Sequence, residues 1–336
     1  MNGRERVRAI FARQEPDRAG FWLGNPHADT WPIYLAAFGQ PDEEGVRRLL
    51  GDDFRWICPQ WTSYRHPEGR PLWDVRRRGR SFESGAVFTG CEDVEEVEDF
   101  PWPDPDHIDA TETIAALDAA GDVYRASGWW CPFFHDVADF MGMEEYFVKM
   151  LTHPRVVHAI TRHVVDFYLE ANRRFFAAAG DRMDGFFLGN DFGAQLDALI
   201  GGRQFEEFVR PYLKELVDQG RARGYQVILH SCGAVSRLLP SILDLGIDAL
   251  HPLQARAAGM DAARLARDFR GRVAFLGGID TQELLVRGTP EEVRAEVRRV
   301  KGLLGPHLVV SPSHEALLPN VPAANVQAMA AAAVEP

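Results

Sequence analysis

Eight short apolar runs recur along the chain with amphipathic stretches between them. They are GFWLG at 20–24, FRWICPQ at 54–60, WWCPFFH at 129–135, GFFLGN at 185–190, VILH at 227–230, ALHPL at 249–253, VAFLG at 273–277 and LVVS at 308–311. Each is too short for a helix, and a continuous apolar run suits a parallel strand buried on both faces. The stretches between carry helix punctuation. Residues 154–180 hold a long amphipathic pattern closed by Gly180, a glycine in the usual position after a helix end. Residues 202–224 read as a helix that Pro211 should kink or break. Thr289, Pro290 and the acids behind them read as an N-cap, a first-turn proline and a dipole-matched first turn. Strand and helix alternating over eight strands predict a (β/α)8 barrel. An open doubly wound sheet is the competing arrangement, but no GxGxxG follows any of the runs.

The rest of the chain fits around that frame. Its 336 residues are read as a single barrel domain over 1–336, opened by a helix at 4–13. Residues 65–94 break the alternation: apolar and polar side chains alternate around Gly79 and Gly85, which predicts an inserted β-hairpin. The Pro-rich stretch 99–109 then reads as a surface connector. A net charge of −12 argues against phosphate-backbone binding and against anionic membranes, so neither nucleic acid nor membrane is expected as a partner. No segment reaches the roughly 18 apolar residues of a membrane span, and the charged N-terminus is not a signal peptide in pattern. Cys58, Cys91, Cys131 and Cys232 lie too far apart for a disulfide framework, which points to a reducing, cytoplasmic setting.

In such barrels the active site lies at the C-terminal ends of the strands, which turns the strand register into a site expectation. It brings together Asn25 and His27, Cys58 and Gln60, His135 and Asp136, Asn190 and Asp191, His230 and Cys232, His251 and Gln254, Asp280 and Gln282, and His314 with Glu315. Strand ends turn polar simply because they meet solvent, which accounts for Asn, Asp and Gln but less well for five of the chain's 11 histidines. His230-x-Cys232 could grip one metal ion, and zinc favours that pair of donors. His314 is the third ligand best placed by position, with Asp191, Asp280 or Glu315 available as a fourth. Asp191, Glu315, His135 and Asp280 are the acid–base candidates. Trp22, Asn25, Phe134, Asn190, His251 and Gln254 are the candidate substrate contacts, in a mouth rich in aromatic rings.

The segments GNDFGAQLDALIG, FEEFVRPYLKELVDQGRARGYQVILHSCGAVSRLLPSILDLGIDALHPLQ, GMDAARLARDFRGRVAFLGGIDTQELL and VVSPSHEALLPNVPAANVQAM resemble the uroporphyrinogen decarboxylase superfamily over about residues 184–331, and the opening RERVRAIFARQEPDR is similar to its first helix. The resemblance implies the barrel that the strand count reaches by itself. The decarboxylases proper carry an arginine-rich Arg-Gln-Ala-Gly-Arg motif, and the corresponding opening here is GFWLGNPHADTWP, which argues against a polycarboxylate tetrapyrrole as substrate. The resemblance to the zinc-dependent corrinoid methyltransferase branch is closer. That branch carries His-x-Cys on strand five and a cysteine after strand eight; His230 and Cys232 match the first two, and His314 stands where the cysteine would be. One thiolate with two imidazoles would leave zinc a stronger Lewis acid than two thiolates would, which suits activation of an ether oxygen better than alkylation of a thiol.

The resemblance therefore implies a zinc-dependent methyltransferase. It would move a methyl group from a small methoxy-type substrate to a corrinoid carried by a partner protein, and self-association into a homodimer is also expected. The alternatives are a metal-free decarboxylase or lyase of a small organic acid using Asp191 and His314, and a non-catalytic ligand-binding member of the same fold.

Overall fold

The computed structural model describes residues 1–75 and 85–335. Eight parallel strands form one curved sheet: β1 (Gly20–Phe21), β2 (Phe54–Trp56), β3 (Tyr124–Ser127), β4 (Gly185–Gly189), β5 (Gln226–His230), β6 (Ala249–His251), β7 (Ala274–Ile279) and β8 (Leu308–Pro312). Their order, β1-β8-β7-β6-β5-β4-β3-β2, leaves β1 and β2 as the two ends of a nearly closed (β/α)8 barrel. A backbone bond from Asp53 N–H to Phe21 O (2.8 Å) draws those ends together. The Asp53 carboxylate accepts from Phe21 N–H at 3.1 Å and pairs with Arg6 at 2.7 Å and Arg18 at 2.9 Å. The helix Gly3–Phe11 crosses the N-terminal end of the barrel, where its Val7, Ile10 and Phe11 join Phe54, Tyr124, Phe187 and Ile228 of the barrel interior.

The third strand is not where the apolar run suggested. Residues 129–135 hold a loop and the start of the helix Phe133–Met141, and the strand is the short YRAS segment before them. Arg125 disguises that strand: its guanidinium runs to Asp184 Oδ2 at 3.6 Å at the base of the barrel instead of breaking the sheet. The WWCPFF run is apolar because a buried loop and a buried helical face follow each other without a polar break. The long helix Pro154–Ala179, the capping box of Thr289 and Glu292, and a break beside Pro211 are as the sequence indicates. That break is a single π-turn, Phe205–Val209, ahead of the helix Arg210–Ala222.

The centre of the expected hairpin, residues 76–84, lies outside the described residues. Its described flanks are joined by the Val87 N–H to Val75 O bond at 3.0 Å and tied to the barrel by Phe88 N–H to Phe140 O at 2.9 Å. Among the described residues no helix is long and apolar enough to cross a membrane.

Candidate functional site

The strand register places the central residues. In the parallel ladder Gly189, His230 and His251 are successive partners at the C-terminal ends of β4, β5 and β6, so the two imidazoles share one layer. The His230 and His251 Nδ1 atoms stand 2.8 Å apart, a hydrogen bond in which one ring must hold the proton. Burial, helped by the positive neighbours His230 and His314, holds His251 well below the usual histidine range. Burial also works against a charged His230, but Glu315, Asp191 and Cys232 outweigh it and raise His230 well above that range. His230 therefore donates through Nδ1, and neutral His251 accepts. Beneath them lie Trp22, 5.3 Å from the His251 ring, and the edge-on ring of Phe187 at 5.2 Å.

The other face of the His230 ring looks into the mouth. Its Nε2 stands 3.1 Å from Asp191 Oδ1 and 3.3 Å from Cys232 Sγ. Asp191 is fixed by two further bonds: its Oδ1 accepts from Cys232 N–H at 2.8 Å, and its own N–H donates to His135 Nε2 at 3.1 Å. Burial would raise the Asp191 pKa, but the bond to His230, with Cys232 N–H and His135, holds it well below the usual carboxylate range. The loops carrying Asp191 and Cys232 approach closely because Gly233 has φ +83° and a Cβ there would overlap the Gly193 backbone. Gln254 Oε1 accepts from Gly233 N–H at 2.9 Å and holds the same turn. His314 turns toward this cluster from the β8 loop. The Cys232 sulfur raises its pKa while burial opposes, and its Nδ1 accepts from Ala316 N–H at 3.1 Å. Glu315 reaches in from the same loop, with Oε2 3.7 Å from His230 Nδ1.

Two donor trios result, each with its ligand atoms within 4.8 Å of one another: Asp191–His230–Cys232 toward the mouth and His230–His251–Glu315 below it. Tetrahedral zinc with bonds of about 2.0–2.3 Å spaces its ligands roughly 3.3–3.6 Å apart. The upper trio, at 3.1 and 3.3 Å from the shared nitrogen, fits a metal of that size with little movement. Glu315 Oε2 and His251 Nε2 are buried with no hydrogen-bond partner among the described residues, which marks the lower trio as incompletely satisfied. His314 is not a member of either compact trio; it stands beside the upper one.

The remaining expected site residues separate into two groups. Asn25 lines the mouth. Asn190 spends its whole amide inside the protein, accepting from Phe134 N–H and donating to Cys131 O, both at 2.9 Å. Phe134 is fully buried beside Tyr146 and Phe192. Asp280 accepts from Gln282, Glu283 and Leu284 N–H, so it caps the turn after β7. Trp22 belongs to the barrel core. Trp129 and Trp130 are the residues that sequence reasoning passes over. Once 129–135 is taken as a strand, its side chains alternate into core and helix layer, whereas in the folded chain both indoles line the mouth. The Trp130 ring meets the His230 ring edge-on at 5.0 Å.

Comparison with known proteins follows the same lines. The sequence profile of the family described as uroporphyrinogen decarboxylase (URO-D) matches residues 93–335. A methylcobamide:CoM methyltransferase, MtbA, of Methanosarcina acetivorans is 28% identical over 135 residues, 39% of this chain and 36% of that protein. A methylated-thiol–coenzyme M methyltransferase of Methanosarcina mazei is 27% identical over 237 residues, 67% of this chain and 58% of that one. The chain thus spans between a third and three-fifths of the length of these two relatives. A solved methyltransferase from Methanosarcina mazei superposes over 99% of this chain and 98% of its own, with a TM-score of 0.69 at 14% identity, a likeness of fold.

Proposed function

Because this chain belongs to the uroporphyrinogen decarboxylase family, we propose that it is a zinc-dependent methyltransferase that passes a methyl group from a small methoxy-type substrate to a corrinoid protein. The observation that carries the reading is the trio at the mouth: a buried imidazole with a thiol 3.3 Å and a carboxylate 3.1 Å from the same nitrogen. His230, Cys232 and Asp191 would hold the metal, with His314 beside Cys232 as the further donor. When bound, zinc supplies Lewis acidity to a substrate oxygen.

The chain's own residues prepare that role. His251 takes the proton of His230 Nδ1 in a hydrogen bond and so fixes which nitrogen faces the mouth. Asp191, held ionised, serves as a donor or a base and not as an acid. Glu315 is the carboxyl group within reach of the His230 and His314 rings, at 3.7 and 3.8 Å, and is assigned to orienting those rings and the substrate. The relatives' printed activities, methyl transfer involving a methylcobamide or a methylated thiol, support the reaction class.

Elemental analysis of the purified chain tests the reading. About one zinc per chain is expected, lost in His230→Ala and in Cys232→Ser and weakened in His314→Ala. Metal-free protein that still turns over its substrate at full rate would overturn it.

A further inference from the structure

Behind the donor trio at the mouth lies the second cluster, His230, His251 and Glu315, whose ligand atoms also stand within 4.8 Å of one another. It shares only the His230 ring with the first, and it meets that ring at its other nitrogen. His230 Nε2 faces Asp191 and Cys232. His230 Nδ1 faces His251 Nδ1 at 2.8 Å and Glu315 Oε2 at 3.7 Å. The lower cluster holds no thiol. Trp22 and Phe187 close it from the core side, against the His251 ring. The Glu315 side chain, 17% exposed, leaves it open toward the mouth.

Glu315 is the group that asks for a ligand there. Its Oε2 is buried and accepts no hydrogen bond among the described residues. Its charge neighbours are two imidazoles, His230 at 3.7 Å and His314 at 3.8 Å, with no Lys or Arg paired to it among the described residues. His314 Nδ1 already accepts from Ala316 N–H and has no proton to offer. His230 answers Glu315 only while both ring nitrogens are protonated. Once a metal at the mouth takes Nε2, that ring is neutral and its remaining proton goes to His251. Asp191 and a Cys232 thiolate then balance a divalent ion between them, and Glu315 is left enclosed without a counter-charge, a costly state. The spacing suits a cation that would relieve it. Two metal–nitrogen bonds of about 2.0–2.1 Å set near a right angle span roughly 2.8–3.0 Å, which the Nδ1–Nδ1 separation already matches. Glu315 has only to turn inward from 3.7 Å.

We infer that His251 and Glu315, with the His230 ring as a bridge, form a second site for a divalent first-row transition-metal ion, filled after the site at the mouth. This rests on the proposed metal at Asp191, His230 and Cys232 and adds an ion behind it. Two imidazoles and one carboxylate suit zinc, cobalt or nickel rather than magnesium or calcium, which prefer oxygen throughout. Binding forms a metal–Nδ1 bond on His230 and releases the Nδ1 proton to solvent, so one imidazolate joins the two ions. The negative charges of Asp191, the Cys232 thiolate, Glu315 and that imidazolate then equal the positive charges of two divalent ions. Because a proton must be displaced, the lower site is the weaker of the two, and the chain keeps about one zinc through purification.

Titration of the chelator-treated full-length protein with Co²⁺, read by equilibrium dialysis and absorption, tests the site without turnover. Thiolate-bound cobalt absorbs in the near ultraviolet, so only the mouth site, which holds Cys232, gives that band. The parent should take up about two ions per chain, the first with the band and the second adding nothing to it. Glu315→Gln, a change at a partly exposed side chain of the same shape, should stop at about one ion with the band intact. His251→Phe, a ring for a ring, should do the same. Cys232→Ser should lose the band and keep an ion that Glu315→Gln removes in turn. Saturation of the parent at one ion, or a second ion that both Glu315→Gln and His251→Phe retain, would each overturn the assignment. The two metal readings fail separately. A single ion that shows the thiolate band and is indifferent to Glu315→Gln keeps the mouth site and sinks the lower one. An ion that shows no band in the parent and is lost in Glu315→Gln keeps the lower donors and sinks the reading of the mouth.

Discussion

The two ends of the barrel treat buried charge in opposite ways. At the N-terminal end every buried carboxylate is answered by arginine: Asp53 by Arg6 and Arg18, Asp184 by Arg4 at 2.7 Å, Asp52 by Arg47 at 2.8 Å. At the C-terminal end the acids are more open, with 42% of the Asp191 side chain and 17% of Glu315 exposed, their partners are imidazoles and a thiol, and His251 Nε2 and Glu315 Oε2 have no hydrogen-bond partner among the described residues. The buried carboxylates of the first end are paired without any ligand, although Tyr124 Oη, Arg125 Nε and Gln226 Oε1 there also lack a hydrogen-bond partner among the described residues. The second end gathers its unpaired atoms beside the donor trios, and an incompletely satisfied polar cluster of potential ligands persists in a fold where something else completes it. The contrast separates the end that holds the barrel shut from the end proposed to do chemistry, as the fold's division of labour leads one to expect.

The largest effect that would break this contrast is at the mouth. His230→Ala removes the nitrogen common to both trios. Zinc should be lost completely and turnover with it, well beyond the roughly 10–100-fold cost of altering an outer-sphere partner. The chelator-treated variant and the chelator-treated parent should still melt close together. A collapse in melting temperature of the metal-free variant would show that the mouth is a structural centre after all.

Asp53→Ala probes the other end. It strips Arg6, buried and 2.7 Å away, of a partner and removes the side chain that joins β1 to β2. Orphaning one member of a buried pair costs about 3–5 kcal/mol; Arg6 keeps Asp17 at 2.6 Å, so a loss below that range is expected, measurable by urea unfolding, while zinc per folded chain should be unchanged. Lost zinc with intact stability would invert the assignment of the two ends.

Asp136 is the intermediate case. It is buried near the mouth side, bonded by Tyr168 O–H at 2.7 Å, and no cation is among the causes of its shift. Burial first, then the negative Asp139, pushes it up to about 8 from an ordinary 3.8, although the Tyr168 bond opposes. The folded state therefore keeps a proton that the unfolded state has already lost. Between pH 3.8 and about 8 folding stability falls as pH rises, by at most ~1.4 kcal/mol per pH unit from this group. Asp136→Asn retains a side-chain oxygen for Tyr168 and should flatten that slope between pH 6 and 8. An unchanged slope would mean that the carboxyl is ionised and paired, as at the base.

Much of this was legible before the coordinates. The strands β4 to β8 announce themselves because their apolar runs stop at a His, Asn, Asp or Ser, and the His230-x-Cys232 pair survives translation into space because two residues on one strand end stay together in any register. What was not legible depends on contacts between distant segments. The His230–His251 hydrogen bond follows from the β5–β6 register across 21 residues. Asn190 and Asp280 look like site residues by position, yet Asn190 accepts from Phe134 N–H across 56 residues and Asp280 caps its own turn. The Trp129–Trp130 pair was hidden because a run of apolar residues cannot say whether it is strand, loop or helix face.

The smallest effect comes from the backbone position that seats Trp130 at the edge of the donor cluster. A Cβ on Gly189 would overlap the six-membered ring of Trp130, the far end of a side chain that can swing away. Gly189→Ala should therefore leave both ends of the barrel intact, with melting temperature and zinc content near those of the parent. It should also move Trp130 off the His230 ring and lower turnover several-fold, within the span that a single aromatic contact supplies. Unaltered turnover with a displaced Trp130 fluorescence would show that this indole takes no part in the mouth's chemistry. A loss of zinc would instead tie Trp130 to the donors more tightly than its 5.0 Å edge contact implies, and the indole would have to be counted among the supports of the metal ligands.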